Sequence, residues 1–362
     1  MAKEDQDELQ GLREAIDALD DELVKLLNHR AALSVEVRRT LGNSKPEVFV
    51  PEREAQVLTR VQIQNAGPLT PEHLAAIYRE VLSASRDLQR HTRVAYLGPR
   101  ATFTHQAALG RFGSSAEYVA AASIPDIYNE VVRGAADFGV MPVENSTEGP
   151  VFETLDLLND GELRICAEIT IPVAHYLLAR GPKEAVRRVY SHPQAAAQCR
   201  RWLAQNLPGC EVLHVTSTAR AAEQAAEEAA AAAIATRLAA EVYDLKILEQ
   251  NIQDYSSNYT RFFVVGQRMT ERPSGRDKTA IVFSIRDRVG ALKDMLEVFA
   301  RASLNLTSIQ SRPSRRRAWD YLFFVEFAGH AGDPEVKAVL KDAEQHCVFL
   351  KVLGAWPVPT EA

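Results

Sequence analysis

No stretch of this 362-residue chain stays apolar for the roughly 20 residues that a helical bilayer crossing needs, so no membrane partner is expected. Cysteine is scarce too. Cys166, Cys199, Cys210 and Cys347 stand far apart, with no C-x-x-C pair and no histidine in zinc-ligand spacing. That pattern excludes a zinc-finger or disulfide framework and fits free thiols in a reducing compartment. The sequence also lacks a G-x-G-x-x-G fingerprint, a G-x-S-x-G elbow and any metal-ligand cluster. Dinucleotide, serine-hydrolase and metal chemistry therefore have no sequence support, and no cofactor or metal is expected. Nor is there an excess of positive charge: 42 Lys and Arg against 48 Asp and Glu give −6. Nucleic acid is not an expected partner, and an anionic ligand must be met by locally placed cations. The opening MAKEDQDELQ is polar and reads as no leader peptide, so a cytoplasmic location is expected.

What is present suggests two or three globular domains, with 46% hydrophobic and 25% charged residues. From Leu9 the apolar residues recur at three- and four-residue steps through Leu12, Ile16, Leu19, Leu23, Leu26, Leu33 and Val37. Such spacing predicts one long helix packed along most of its length, ended by Gly42 and Pro46. A second helix is expected from Pro51 to the Gly67-Pro68 break, and Thr70-Pro71-Glu72 opens a third. Residues 1–91 thus read as all-helical. From Arg93 to about residue 268, short apolar runs such as RVAYLG, ADFGVMPV and TRFFVVG alternate with alanine-rich helical stretches. This is the pattern of a two-lobed α/β region. The alanine run near 225–235 reads as helix on propensity. After a polar linker at 269–277, elements in the order βαββαβ over 278–355 predict a ferredoxin-like sandwich. Arg315, Arg316 and Arg317 read as a solvated hairpin loop there.

Cations interrupt the helical seam. Arg30 sits in step with Leu9, Ile16, Leu23 and Val37, where it either snorkels to the surface or faces an anion. Arg13 lies 17 residues earlier, about 25 Å along the helix at 1.5 Å per residue. One small ligand cannot touch both, so if both bind anions they serve different sites, as a two-fold dimer supplies. Ser85 and Gln89, four apart, share a face of the third helix. The segment LREAIDALDDELVKLLNHRAALSVEV, then PERE, then Ser85 and Gln89, resembles the all-helical chorismate mutases over about 8–90. The resemblance implies interlocked dimers in which Arg13 is lent to the partner's site. Arg30 and Arg53 would bind substrate carboxylates, and Glu54, Ser85 and Gln89 the remaining oxygens. The reaction is a pericyclic rearrangement, which needs a folded dianion and a donor at the ether oxygen rather than a nucleophile. Leu41 stands where the family usually carries a lysine; losing such a donor costs roughly 3 kcal/mol. A vestigial, purely dimerising domain is the alternative reading.

In the middle region polar clusters fall at the ends of expected strands, where open α/β sheets bind ligands. They are Thr102 and Thr104; Glu144, Asn145 and Ser146; His192 and Gln194; and Ser217 and Thr218. Taken singly, Ser217-Thr218 also reads as a helix cap and His192 as a structural hydrogen-bonding residue. The stretch NIQDYSSNYTRFFVVG, with Thr260-Arg261-Phe262 at the mouth of a strand, resembles the prephenate dehydratases over about 93–268. That family has two lobes resembling type 2 periplasmic-binding folds. Ala101 and Thr104 depart from it, standing where glycine and serine are usual. The resemblance implies loss of CO2 and water from prephenate, giving phenylpyruvate. Thr260 would donate to the departing hydroxyl, Arg261 would anchor the side-chain carboxylate, and Phe262 would form an apolar wall.

SIRDRVGALKDMLEVFA followed by NLTSIQSRP resembles the amino-acid-sensing ACT domains over about 278–355. It implies feedback by L-phenylalanine through Gly290, Ala291 and Leu292 together with Gln310, Ser311, Arg312 and Pro313. Gln310 stands where a glutamate is usual, which removes a charge that can pair with a ligand ammonium. The expectation is a phenylalanine-pathway enzyme acting on chorismate and prephenate as a homodimer or larger. Rival readings are a dehydratase alone, on prephenate or arogenate, and a non-catalytic sensor built on the same folds.

Overall fold

The computed structural model describes residues 3–40, 49–314 and 321–359; Leu41, Gly42, Lys45, Pro46 and Arg315 to Arg317 lie outside them. Helix α1 (Lys3–Thr40) is followed by α2 (Pro51–Gln64) and α3 (Pro71–Gln89). Thr70 caps α3 by accepting from the His73 N–H, with Pro71 at the first helical position, as that sequence demands. Along α1 the apolar residues face outward: Leu12, Ile16, Leu19, Leu23 and Leu26 are all more than half exposed. Only its last third, around Arg30, Ala31 and Ser34, is partly covered, where α1 packs on α3.

The first α/β lobe is built from β1 (Arg93–Leu97), α4 (Phe103–Phe112), β2 (Glu117–Ala121), α5 (Ile124–Val132), β3 (Phe138–Asn145), the short β4 (Gly149–Pro150), α6 (Phe152–Asp160) and β5 (Arg164–Pro172). The chain then crosses into a second lobe. This comprises β6 (Tyr176–Ala179), β7 (Arg188–Ser191), α7 (Pro193–Gln198), α8 (Arg200–Asn206), β8 (Glu211–His214), α9 (Thr218–Glu227), β9 (Ala231–Ala235), α10 (Arg237–Val242) and β10 (Lys246–Glu249). It returns as β11 (Tyr259–Gly266) to the first sheet, between β3 and β5. Two crossings between two sheets give the two-lobed frame of type 2 periplasmic-binding folds.

The alanine run is not one helix. Helix α9 ends at Glu227, and Ala231–Ala235 forms β9, fully buried between β6 and β7. Helix propensity loses here to tertiary context. Alanines on β9 and on the inner face of α9 (Ala219, Ala221, Ala222, Ala225) give a thin, closely packed layer.

The C-terminal unit follows the expected βαββαβ order: β12 (Asp277–Ser284), α11 (Ala291–Arg301), β13 (Leu306–Pro313), β14 (Tyr321–Ala328), α12 (Pro334–Ala343) and β15 (Phe349–Pro357). One face of its sheet packs on α11 and α12 through Phe283, Met295, Phe299 and Phe327. The other carries Ala280, Val282, Phe324 and Leu353 into the core of the first lobe with Leu155, Leu158 and Phe263. Strand β15 also pairs with β5, at Gly354 opposite Ile165, so one sheet runs through both units. A β-carbon on Gly354 would lie 2.2 Å from the Ile165 carbonyl oxygen, so only glycine fits the joint. Among the described residues no helix is long and apolar enough to cross a membrane.

Candidate active site

Strands β1 and β3 run parallel and β11 runs antiparallel to β3. The C-terminal ends of β1 and β3 and the start of β11 therefore share one edge of the sheet. Asn145 and Thr260 are register partners there. The Asn145 side-chain oxygen accepts from the backbone N–H groups of Thr147 (3.0 Å) and Glu148 (3.1 Å), which fixes the amide orientation. Its nitrogen must then point the other way, and it donates to Thr260 Oγ1 at 2.9 Å and to Asn258 Oδ1 at 2.9 Å. Ser146 closes the corner by exchanging hydrogen bonds with the backbone of Tyr259.

Helices of both lobes start at the C-terminal ends of parallel strands. Thr102 caps α4, with its hydroxyl donating to the Leu97 carbonyl and accepting from the His105 N–H. Thr104 is buried in the first turn of that helix. In the second lobe β7, β8 and β9 are parallel, so the residues after them lie on one side. His192 caps α7 through its ring nitrogen and the N–H of Gln194, whose side chain is exposed. Ser217 caps α9, with Thr218 as its first residue. Thr236, which sequence reading passed over, caps α10 and donates to the Ala101 carbonyl at 2.9 Å. That bond ties the two lobes together and sets the parallel strand ends of the second lobe toward the first.

Ala101 has a φ of +66°, which explains why a glycine is usual there. Its N–H donates to His105 Nδ1 at 3.0 Å. Burial, reinforced by the charge of Arg100, lowers the His105 pKa to about 4, so the ring is neutral. It stacks on Tyr96 with ring centres 4.4 Å apart. His175, at the crossing between lobes, is likewise pushed down by burial, against the Gln198 hydrogen bond that raises it.

Arg261 does not join Thr260. Neighbouring residues of a strand point to opposite faces, and Arg261 with its register partner Glu144 lies on the far face. There the guanidinium binds Glu326 (2.6 Å), Glu144 (3.0 Å) and Glu168 (3.4 Å), while Lys278 binds Glu168 at 2.8 Å. Burial works against the charge of Arg261, but the Glu326 hydrogen bond and the three carboxylates outweigh it and raise its pKa. The cavity beside it holds about 20 Å³, room for roughly one water and none for a ring diacid. The structure thus does not bring Arg261 and Glu144 to Thr260; it pairs them with each other on the opposite face. Phe262 is 1% exposed and sealed under α4 with Tyr96, Ala107 and Phe112, so its ring backs the site rather than forming an open wall.

In the helical unit Arg30 Nη1 donates to the buried Ser85 hydroxyl at 2.6 Å, and Gln89, one turn on, is half-buried. Arg13 and Arg53 are exposed. Within one chain Glu54 does not join that group: it is buried, binds Arg86 and, at 2.8 Å, Arg111 of α4, and so anchors α2 and α3 on the first lobe. The Phe49 ring lies against this joint, with the Arg111 guanidinium 4.6 Å from its centre.

In the C-terminal unit Gly290 (φ +84°) caps α11. With Ala291, Leu292, Arg286, Tyr321 and Phe323 it lines a recess of about 500 Å³. The β13 motif divides by strand period. Gln310 lines the small cavity beside Arg261, and Arg312 binds Asp156 of the first lobe at 2.8 Å. Ser311 and Pro313 are exposed on the opposite face. Within one chain, Gln310 and Arg312 therefore do not meet Gly290, Ala291 and Leu292.

A helical unit with an exposed apolar side, a two-lobed α/β unit and a ferredoxin-like sandwich define a three-part multidomain protein. The chain matches the models for chorismate mutase type II at 12–90, prephenate dehydratase at 94–270 and the ACT domain at 279–345. It is 46% identical over 356 residues to the bifunctional chorismate mutase/prephenate dehydratase of Aquifex aeolicus, covering 97% of this chain and 98% of that one. The solved prephenate dehydratase of Arthrobacter aurescens in complex with L-Phe is 33% identical with a TM-score of 0.67, covering 74% and 90%. A structure described as GqqA, a novel type of quorum quenching acylase, is 27% identical with a TM-score of 0.68, covering 74% and 98%. One frame thus hosts more than one reported chemistry. The chain belongs to the bifunctional chorismate mutase/prephenate dehydratases.

Proposed function

We propose that the helical domain converts chorismate to prephenate and that the edge bearing Thr260 converts prephenate to phenylpyruvate, CO2 and water. The carrying observation is the Asn145–Thr260 hydrogen bond. Because Asn145 fills an acceptor position of Thr260 Oγ1, the hydroxyl proton is left to donate. In prephenate the bond to the ring carboxylate breaks as its electron pair moves into the ring and the ring C–O bond opens. The departing oxygen gains negative charge and must take up a proton, and a positioned hydroxyl stabilises it. The substrate's carboxylates fall to the helix starts at Thr102, Thr104, Ser217 and Thr218, where free N–H groups favour anions. Ser146 and His192 stand beside them.

The mutase site, on this reading, is completed by a second chain, whose α1 covers the exposed apolar side and brings its Arg13 toward Arg30, Ser85 and Gln89. L-phenylalanine binds the recess at Gly290, Ala291 and Leu292, with its carboxylate at the start of α11.

The test is Thr260→Ala. Prephenate turnover is expected to fall about 100-fold or more, with binding of prephenate retained in a calorimetric titration and chorismate turnover unchanged. Wild-type turnover in Thr260→Ala overturns the reading. Faster conversion of arogenate than prephenate by the wild type would reassign the substrate but not the role of Thr260.

A further inference from the structure

The far face of β11 carries a charge cluster to which the reading of Thr260 gives no part. Arg261 is held by Glu144 of β3, Glu168 of β5 and Glu326 of β14, and Lys278 of β12 joins through Glu168. Three of these residues lie on dehydratase strands and two on ACT strands of the shared sheet. Glu168 and Glu326 are largely buried, with side chains 5% and 9% exposed. The Glu326 contact, at 2.6 Å, is the shortest that Arg261 makes among the described residues. It crosses from the regulatory unit to the residue beside Thr260.

A buried guanidinium held by several carboxylates has little freedom, because loss of one partner leaves charge uncompensated. The backbone of residue 261 is therefore pinned from behind, while its neighbour presents a hydroxyl in front. Strand β14 adds a second consequence of period two. Tyr321 and Phe323 line the recess at Gly290, while Phe324 and Glu326 face the dehydratase.

We propose that Glu326, an ACT-strand residue, is a positioning residue for the dehydratase reaction: through Arg261 it sets the start of β11 and hence the aim of the Thr260 hydroxyl. It touches no substrate. The inference rests on the role of Thr260 given above and adds a remote residue that fixes its placement. It predicts that the dehydratase depends on its regulatory unit for alignment even when no effector is bound.

The test uses the full chain with Glu326→Gln, which keeps shape and removes charge, and Glu326→Asp, which keeps charge. For Glu326→Gln, kcat on prephenate is expected to fall about tenfold while KM stays within about twofold, because alignment rather than binding is lost. Mutase turnover of chorismate by the same sample stays at the wild-type rate, which reports an intact helical domain, and chemical unfolding followed by fluorescence of the buried Trp356 reports an intact dehydratase–ACT unit. Glu326→Asp recovers kcat to within about threefold of wild type. An unchanged kcat in Glu326→Gln overturns the proposal, as does a parallel loss of both activities in both variants. Thr260→Ala, run alongside, separates the two failures. If it is inactive while Glu326→Gln is normal, only the positioning role is lost; if it is fully active, the reading of Thr260 itself falls.

Discussion

Helix α1 and the central strands of the dehydratase both announce apolar periodicity, yet they end in opposite environments. On β11, Phe262, Phe263, Val264 and Val265 are at most 1% exposed, and β9 is wholly buried. On α1, Leu12, Ile16, Leu19, Leu23 and Leu26 range from 52% to 65% exposed. Fully burying five such side chains contributes roughly 10 kcal/mol before the entropy of association is counted. The dehydratase closes its core with its own chain, whereas the helical domain leaves the apolar side of α1 exposed. Periodicity says that a face is to be buried. It does not say by whom.

The largest effect comes from breaking the contrast on the helical side. Leu19→Glu combined with Leu26→Glu places two charges in the apolar side of α1. On the shared-site reading, light scattering is expected to show a monomer for this variant and a dimer or larger for the wild type, and chorismate turnover to fall about 1000-fold through loss of the partner's arginine and neighbouring wall. Prephenate turnover stays within about threefold. A dimer with full mutase activity in this variant would sink the shared-site reading.

How much of this was legible in the residues depends on the range of the interaction. Caps such as Thr70, Thr102 and Ser217 lie beside the helices they start, and their placement follows from a few neighbouring letters. The βαββαβ order of the last domain is equally local. Arg261 is instructive for another reason. A strand reading of TRFFVVG already requires residues 260 and 261 to face apart, so giving both to one ligand conflicts with the period of two; the same holds for Glu144 and Asn145. What no local pattern supplies is the partner. Glu326 is 65 residues from Arg261, and Arg111 is 57 from Glu54. Likewise the strand at 231–235 is fixed by its neighbours β6 and β7, against the preference of alanine for helix.

A smaller effect is expected where the two sheets join. Gly354 has no room for a side chain, because the atoms it would meet belong mostly to the Ile165 backbone and cannot swing away. Gly354→Ala forces the β15–β5 contact apart and is expected to destabilise the ACT–dehydratase unit by about 1–3 kcal/mol. Chemical unfolding followed by tryptophan fluorescence reads this directly, since the buried Trp356 lies two residues away and packs on Phe263. The contacts of α1 are not involved, so the oligomeric state is expected to match that of the wild type. Wild-type stability in Gly354→Ala would mean that the sheets do not abut as described.

The smallest effect tests how the dehydratase interior holds its polar groups without a second chain. His105 accepts the Ala101 N–H and is kept neutral, with its pKa lowered to about 4 by burial and by Arg100. An unfolded histidine titrates near 6.5. As pH falls, the unfolded chain takes up this proton first, so the His105 contribution to stability declines from about pH 6.5 to about pH 4 and levels off below. Asparagine at 105 can still accept the Ala101 N–H but has no proton to gain. His105→Asn is therefore expected to flatten the stability-versus-pH curve across that window while leaving the difference above pH 7 small. An equal slope in both proteins would assign the acid sensitivity to other groups and remove His105 as the neutral hinge between Ala101 and Tyr96.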